Sequence, residues 1–212
     1  MSEYELQQQM VEWFDEEGLI SDSAPVVAVE GNAGDPHYLP SAEQSRPIST
    51  DQVLLLDLWG KTKEPGAVFA DITWVGVTAA RVPSETARAF SAVAEARDAA
   101  VRLVEDAARN GRDLRGWEVD RAARQVLEQR GYAERILHRT GHSLGENVHG
   151  NGVHMDDYET HDDRRLIPGT GFTVEPGLYF ETFGVRTEVN VFRGERDATV
   201  TGPRQYEVVT LL

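Results

Sequence analysis

The sequence predicts a single α+β domain, and three observations carry that prediction. An acidic amphipathic helix opens the chain and short apolar strands follow it. Two consecutive helical stretches occupy the middle, and strand-like segments return after them. No low-complexity linker interrupts the 212 residues, so residues 1–212 read as one domain large enough for a substantial core.

Residues 3–17 place Leu6, Met10, Val11 and Phe14 on one helical stripe, with Gly18 as the stop. Pro25–Glu30 reads as a short buried strand, followed by a long polar loop. Val53–Leu58 and Val68–Val77 read as two further strands, joined through a Gly/Lys/Pro loop. Ser84 is the expected N-cap of a long helix reaching Asn110 and closed by Gly111. Gly116–Gln129 is a second helix, closed by Gly131. Strands are expected at Arg135–His138, Gly171–Glu175, Gly184–Phe192 and Gln205–Leu211. The order implies two similar α+β halves, although no sequence repeat links them.

Composition narrows function. The formal net charge of −15 opposes binding to nucleic-acid phosphate. The chain has no cysteine, so any metal must be held by oxygen and imidazole nitrogen, which suits Mn, Co, Fe or Zn. The N-terminus lacks the basic start and apolar run of a signal peptide, and no window has the length of a membrane span. The default expectation is a soluble cytoplasmic protein with no membrane partner.

Several polar residues fall where chemistry needs them. Asp57 ends the apolar run LLLDL, where a charge is costly without a partner. Asp71 lies in FADITW, and a hairpin would bring the two aspartates side by side; taken singly, each could equally cap a turn. HRTGHSLGENVHG places His138, His142 and His149 within twelve residues, either at one locus or as polar surface histidines. Glu175 precedes a Pro-Gly turn. In VRTEVNV, period-two alternation puts Arg186, Glu188 and Asn190 on one face and the valines on the other. Four carboxylates and one imidazole make a credible two-metal cage.

Taken together and in order, LLLDLWG, FADITW, HRTGHSLGENVHG, TVEPGLYF and VRTEVNV resemble the pita-bread metallopeptidases. That group includes methionine aminopeptidase, Xaa-Pro aminopeptidase, prolidase and the metal-free creatinase. NAGDPHYLPS and GWEVDRAARQVLEQRGY extend the likeness over nearly the whole chain. The resemblance implies a pita-bread fold, two pseudo-symmetric α+β halves with a curved antiparallel sheet backed by helices. It implies two divalent metal ions, manganese first and Co, Zn or Fe as alternatives, on Asp57, Asp71, His142, Glu175 and Glu188. Asp71 and Glu188 would bridge the metals. His149 would contact the scissile carbonyl, while His37 and His138 would hold the residue on the carboxyl side of the bond. Arg186 and Tyr179 would support the ligands from behind.

The implied activity is hydrolysis at an N-terminal Xaa-Pro bond by metal-activated water, with Glu175 as proton shuttle. A proline-containing peptide would be the substrate, and a homodimer is left open. The PHY and EPGLY motifs favour this branch over methionine aminopeptidase. A non-catalytic pita-bread peptide-binding module would have lost ligands, and none is lost here. Three departures stand out. The Asp57–Asp71 interval of fourteen is wider than usual, with KTKEPG accounting for the excess. Trp74 stands where an arginine commonly follows the DIT motif. The N-terminal creatinase-like domain carried by prolidases is expected to be absent. Outside these motifs, His154 could flank the site, His161 reads as exposed, and the acidic stretch 156–163 reads as a solvated face.

Overall fold

In the computed structural model, which describes residues 1–212, helix α1 spans Glu3–Glu16. Ser2 and Glu5 form a reciprocal capping box at its start, satisfying two backbone N–H groups the helix cannot. Gly18, at φ +71°, turns the chain out of the helix as expected. Met10 packs with Val27, Val29 and Leu54, seating α1 against the first sheet.

That sheet holds β1 (Leu19–Ile20), β2 (Val26–Val29), β3 (Val53–Thr62), β4 (Ala70–Val77) and β11 (Val209–Thr210). All of its pairings are antiparallel except β11 on β4. Strand β3 outruns the expected Val53–Leu58: Lys61 and Thr62 pair with Ile20 and Leu19 of β1. Part of the KTKEPG excess is therefore strand rather than loop, and Asp57 sits mid-strand.

Helices α2 (Ser84–Arg109) and α3 (Gly116–Gln129) follow. Pro83, not Ser84, occupies the N-cap of α2, and Ser84 is already helical. The alanines of α2, among them Ala89, Ala92, Ala96 and Ala100, let α3 approach closely and bury Val119, Ala123 and Leu127. α2 also backs the strands of the second half. These are β5 (Ser143–Leu144), β6 (Thr170–Val174), β9 (Val189–Arg193) and β10 (Ala198–Thr201) in one antiparallel sheet, beside the β7–β8 ribbon (Gly177–Tyr179, Gly184–Arg186).

Four expectations need correction. Arg135–His138 is not a strand: a 3₁₀ turn ends at Arg135, and the segment beyond it finds no strand partner. Gly184–Phe192 is two strands, interrupted at Thr187–Glu188. Gln205–Leu211 shrinks to β11, because the Gln205 side chain rather than its backbone pairs with Val75. The stretch 156–163 is not simply solvated: Asp156 and Asp162 are buried, collecting backbone and hydroxyl donors of their own loop. His161 is exposed as expected, paired with Asp157 and stacked on Trp117. No helix is long and apolar enough to cross a membrane. The two halves meet where β3 and β4 contact β8 and β9.

Candidate metal centre

The β3–β4 register pairs Asp57 with Thr73 and Trp59 with Asp71. Asp57 and Asp71 are thus diagonal neighbours on one face of the hairpin, two residues out of register, with Thr73 on the same face. The wide sequence interval leaves both carboxylates at one locus. Opposite them, Arg186, Glu188 and Asn190 share a face despite the strand break between them. Asn190 brackets the Asp71 backbone, accepting from its N–H at 2.9 Å and donating to its carbonyl. Thr73 Oγ1 lies 2.8 Å from Glu188 Oε2 and 3.1 Å from Asp57 Oδ1, and accepts from Arg186 Nε at 3.0 Å. Its single proton serves one carboxylate at a time.

His142 arrives from the other side. Gly141 lets its segment lie against β6, where a Cβ would stand 2.1 Å from the Thr173 carbonyl oxygen. The imidazole Nδ1 is 3.2 Å from the Ser143 carbonyl, so in the neutral ring the proton sits on Nδ1 and Nε2 is free to bind a cation. Nε2 lies 3.5 Å from Asp71 Oδ2 and 3.4 Å from Glu175 Oε1.

A cavity of about 470 Å³ opens over this cluster. Asp57, Asp71, His142, Glu175 and Arg186 line it, together with His37, His138 and His149, so all the histidines assigned to the substrate reach one pocket. Glu188 lies beneath the floor, 1% exposed. His149 stands edge-on to His142 with ring centroids 4.3 Å apart. His138 has both nitrogens engaged: Nδ1 with the Arg139 carbonyl at 2.6 Å, Nε2 with the Tyr179 hydroxyl at 2.7 Å. Arg186 reaches Tyr179 at 2.9 Å and Asp57 at 2.5 Å. His154 lies behind the site, where its Nδ1 accepts from the Ser143 N–H at 3.1 Å.

Burial pushes the Asp57 carboxyl up, with Arg186 opposing it. It raises Asp71 to about 7, and raises Glu188 well above the carboxylate range, reinforced by the neighbouring carboxylates. Glu175 goes the other way: His142, His138 and Arg186 outweigh its burial and hold it low. Burial works against a charged His142, but Asp71 and Glu175 raise it overall. Burial lowers His138 and His149, keeping both neutral at pH 7.

The donor set fits a divalent cation. One ligand atom each from Asp71, His142 and Glu188 lies within 4.8 Å of the other two. Asp71 Oδ1 and Glu188 Oε1 are buried without any hydrogen-bond partner, which is costly for a carboxylate unless a cation meets it. The donors are oxygen and imidazole, suited to hard and borderline ions. Of the five expected ligands, these three form the tight group. Asp57 and Glu175 line the same pocket but are held by Arg186 and Thr73, and by Thr173. Thr73 was not among the expected site residues, although its place two residues after Asp71 in an alternating strand puts it on the same face. Arg139 and Glu159 also line the pocket. They meet through a 3.4 Å ion pair between distant loops that no spacing rule announces.

Comparison with known proteins matches residues 1–195 to the model of metallopeptidase family M24. The probable dipeptidase PepE of Mycobacterium tuberculosis is 31% identical over 193 residues, 90% of this chain and 47% of the relative. The Xaa-Pro dipeptidase of Lactobacillus helveticus is 31% identical over 176 residues, 82% of this chain and 43% of that protein. The crystal structure of dipeptidase PepE from Mycobacterium ulcerans superposes with a TM-score of 0.84 at 28% identity, covering 99% of this chain and 53% of that one. The chain thus spans about half the length of the curated relatives it matches. The shared architecture is the pita-bread fold.

Proposed function

The chain belongs to metallopeptidase family M24, and from that premise we propose that it is a metal-dependent exopeptidase cleaving peptides at an N-terminal Xaa-Pro bond. The activity is that of an Xaa-Pro aminopeptidase or Xaa-Pro dipeptidase. The observation that carries the reading is the pair of orphaned oxygens, Asp71 Oδ1 and Glu188 Oε1, beside the His142 imidazole. In this reading Asp57, Asp71, His142, Glu175 and Glu188 would hold two divalent ions, manganese first, which would supply Lewis-acid chemistry.

The chain's own groups do the rest. Glu175, held ionised at neutral pH, takes a proton at Oε and returns it to the leaving nitrogen. That return matters most for an Xaa-Pro bond, whose nitrogen is a tertiary amide and leaves poorly without a proton. Neutral His149, in the pocket lining, donates its N–H to the carbonyl oxygen as charge develops there. His37 and His138 bind the residue on the carboxyl side, with His138 oriented by Tyr179. Arg186 holds the Asp57 carboxyl in place and opposes the upward push of its burial.

The test is a peptide panel on protein reconstituted with Mn²⁺ or Co²⁺, comparing Xaa-Pro dipeptides, Xaa-Pro-Yaa peptides and Met-Ala-Ser. Cleavage of the Xaa-Pro substrates is expected. Exclusive cleavage of Met-Ala-Ser would move the chain to the methionine aminopeptidase branch. Failure to bind either ion would make it a peptide-binding module.

A further inference from the structure

The largest fully buried side chain in the molecule is an arginine, and it lies outside the pocket. Arg97, on α2, is 0% exposed. Its Nη1 donates to Thr187 Oγ1 at 2.9 Å and to the Gln205 carbonyl at 2.6 Å. Its Nε donates to Asp98 Oδ1 at 2.9 Å, and Nη2 lies 2.9 Å from the same oxygen without the alignment of a hydrogen bond. Burying a guanidinium this completely is expensive, and one partly exposed carboxylate beside it is modest compensation.

What Arg97 holds gives the cost a purpose. Thr187 and Glu188 are the residues at which β8 has ended and β9 has not begun. The sheet ladder that fixes the backbone elsewhere lapses at a residue whose carboxylate belongs to the candidate metal centre. Two other anchors remain. Glu188 N–H donates to the Thr73 carbonyl at 3.3 Å, a long bond, and Thr73 Oγ1 reaches the Glu188 carboxylate. On the opposite face, Thr187 is tied to Arg97. Through Arg97 it is tied to Gln205, whose side-chain amide pairs with both the N–H and the carbonyl of Val75, at 2.9 and 2.5 Å. Val75 lies two residues beyond Thr73 on β4. The contacts therefore close a ring running from Glu188 through Thr73, Val75, Gln205, Arg97 and Thr187 back to Glu188. Gln205 belongs to a segment beyond residue 195, where the family match ends.

We propose that Arg97 is a positioning residue for the metal centre. It replaces the missing ladder at Thr187–Glu188 and couples the placement of the Glu188 carboxylate to the C-terminal segment around Gln205. This rests on the metal centre proposed above.

The test uses the full chain and Mn²⁺ alone as probe. Thr187→Val keeps the shape and removes only the bond to Arg97; Arg97→Met removes the guanidinium; Arg97→Lys keeps the charge and some donors. Outer partners of metal ligands typically change affinity about 10–100-fold. Titration should show Mn²⁺ bound about 10-fold more weakly by Thr187→Val. Arg97→Met should weaken it at least as much, with partial recovery in Arg97→Lys. Asp98→Asn, which alters the outer end of Arg97 and an Arg204 ion pair but no link of the ring, should bind as wild type. A second readout needs no metal: amide exchange at Glu188 should accelerate in Thr187→Val and Arg97→Met beyond any global change in stability. Lower melting temperatures with unchanged Glu188 exchange and unchanged Mn²⁺ affinity would make Arg97 a core residue only and overturn the proposal. A wild-type chain that binds no Mn²⁺ would overturn the metal reading. The exchange measurement would then decide the role of Arg97 by itself.

Discussion

Glu3 and Glu188 are both buried carboxylates, and their surroundings are opposite. Glu3, 0% exposed, accepts from the Val29 and Arg46 N–H groups, the Asn32 amide and the Tyr38 hydroxyl. Asp156 likewise accepts from the backbones of Tyr158, Glu159 and Thr160 and from the Thr160 hydroxyl. Asp162 binds the His154 N–H and the Arg164 guanidinium, and its carboxyl is held low despite burial. These anions are solvated by the protein and staple loops in place. Glu188 and Asp71 each keep one oxygen with no donor at all, and burial raises both carboxyls. A fold that can solvate three buried carboxylates could supply donors to two more. Leaving those two bare, next to an imidazole nitrogen, marks them for a cation. Burial alone does not distinguish the two classes; the donor count does.

The comparison is most sharply tested at the pocket carboxylates. Glu175→Ala should reduce turnover of an Xaa-Pro peptide by about 10²–10⁴-fold, the range of a lost proton-transfer group. Near-normal hydrolysis by that variant would remove Glu175 from the chemistry. In metal-free protein, Asp71→Asn should increase stability at pH 8. Asp71 titrates at about 7 in the fold against an ordinary aspartate near 4 in the unfolded chain. The folded state therefore holds the proton more tightly. The stability this gives is complete below pH 4 and lost as pH rises to 7 and beyond. Urea melts in EDTA should show the variant gaining on wild type across that window, and no pH-dependent difference would contradict the raised carboxyl. Glu3→Gln should do the reverse, costing about 3 kcal/mol with or without metal, because it strands donors that now meet a charge. If both substitutions cost the same in EDTA, the two classes are one.

Saturating Mn²⁺ should restore the order. At a hundred times its dissociation constant an ion adds about 2.7 kcal/mol to the folded state. Wild type should show that gain in thermal melts, and Glu188→Gln should lose most of it. An equal gain in both proteins would place the ion elsewhere.

Much of this is legible in the amino-acid sequence. α3 spans the predicted Gly116–Gln129, because its Gly boundaries and apolar stripe agree. The common face of Arg186, Glu188 and Asn190 follows from alternation and survives the break at Thr187–Glu188, since all three side chains still reach the β3–β4 hairpin. What was hidden depends on partners remote in sequence. Asp156 and Asp162 sit in a run of acids that looks like a solvated surface, yet their donors are backbone groups that only the folded loop presents. Arg97 reads as a polar residue in an alanine-rich helix, and its partners lie 90 and 108 residues away. His138 was legible as a candidate that lines the pocket, but the engagement of both its nitrogens was not.

Thr73 gives the finest test of the contrast, because it is the one hydroxyl shared between the two halves of the site. It offers a proton to Glu188 or Asp57 and accepts from Arg186, so it partly supplies what the bare carboxylates lack. Thr73→Val keeps the β-branched shape that suits β4 and removes only the hydroxyl. Loss of an outer partner of this kind costs about 10–100-fold in metal affinity or activity. The lower end is expected here, since the Asn190 clasp on Asp71 and the Arg186 bond to Asp57 both remain. The site would then bind Mn²⁺ about tenfold more weakly at unchanged stoichiometry. A titration in which Thr73→Val binds as tightly as wild type would mean that Asn190 and Arg186 alone orient the carboxylates. A fall in stoichiometry would mean that the hydroxyl decides whether Asp57 belongs to the metal or to Arg186.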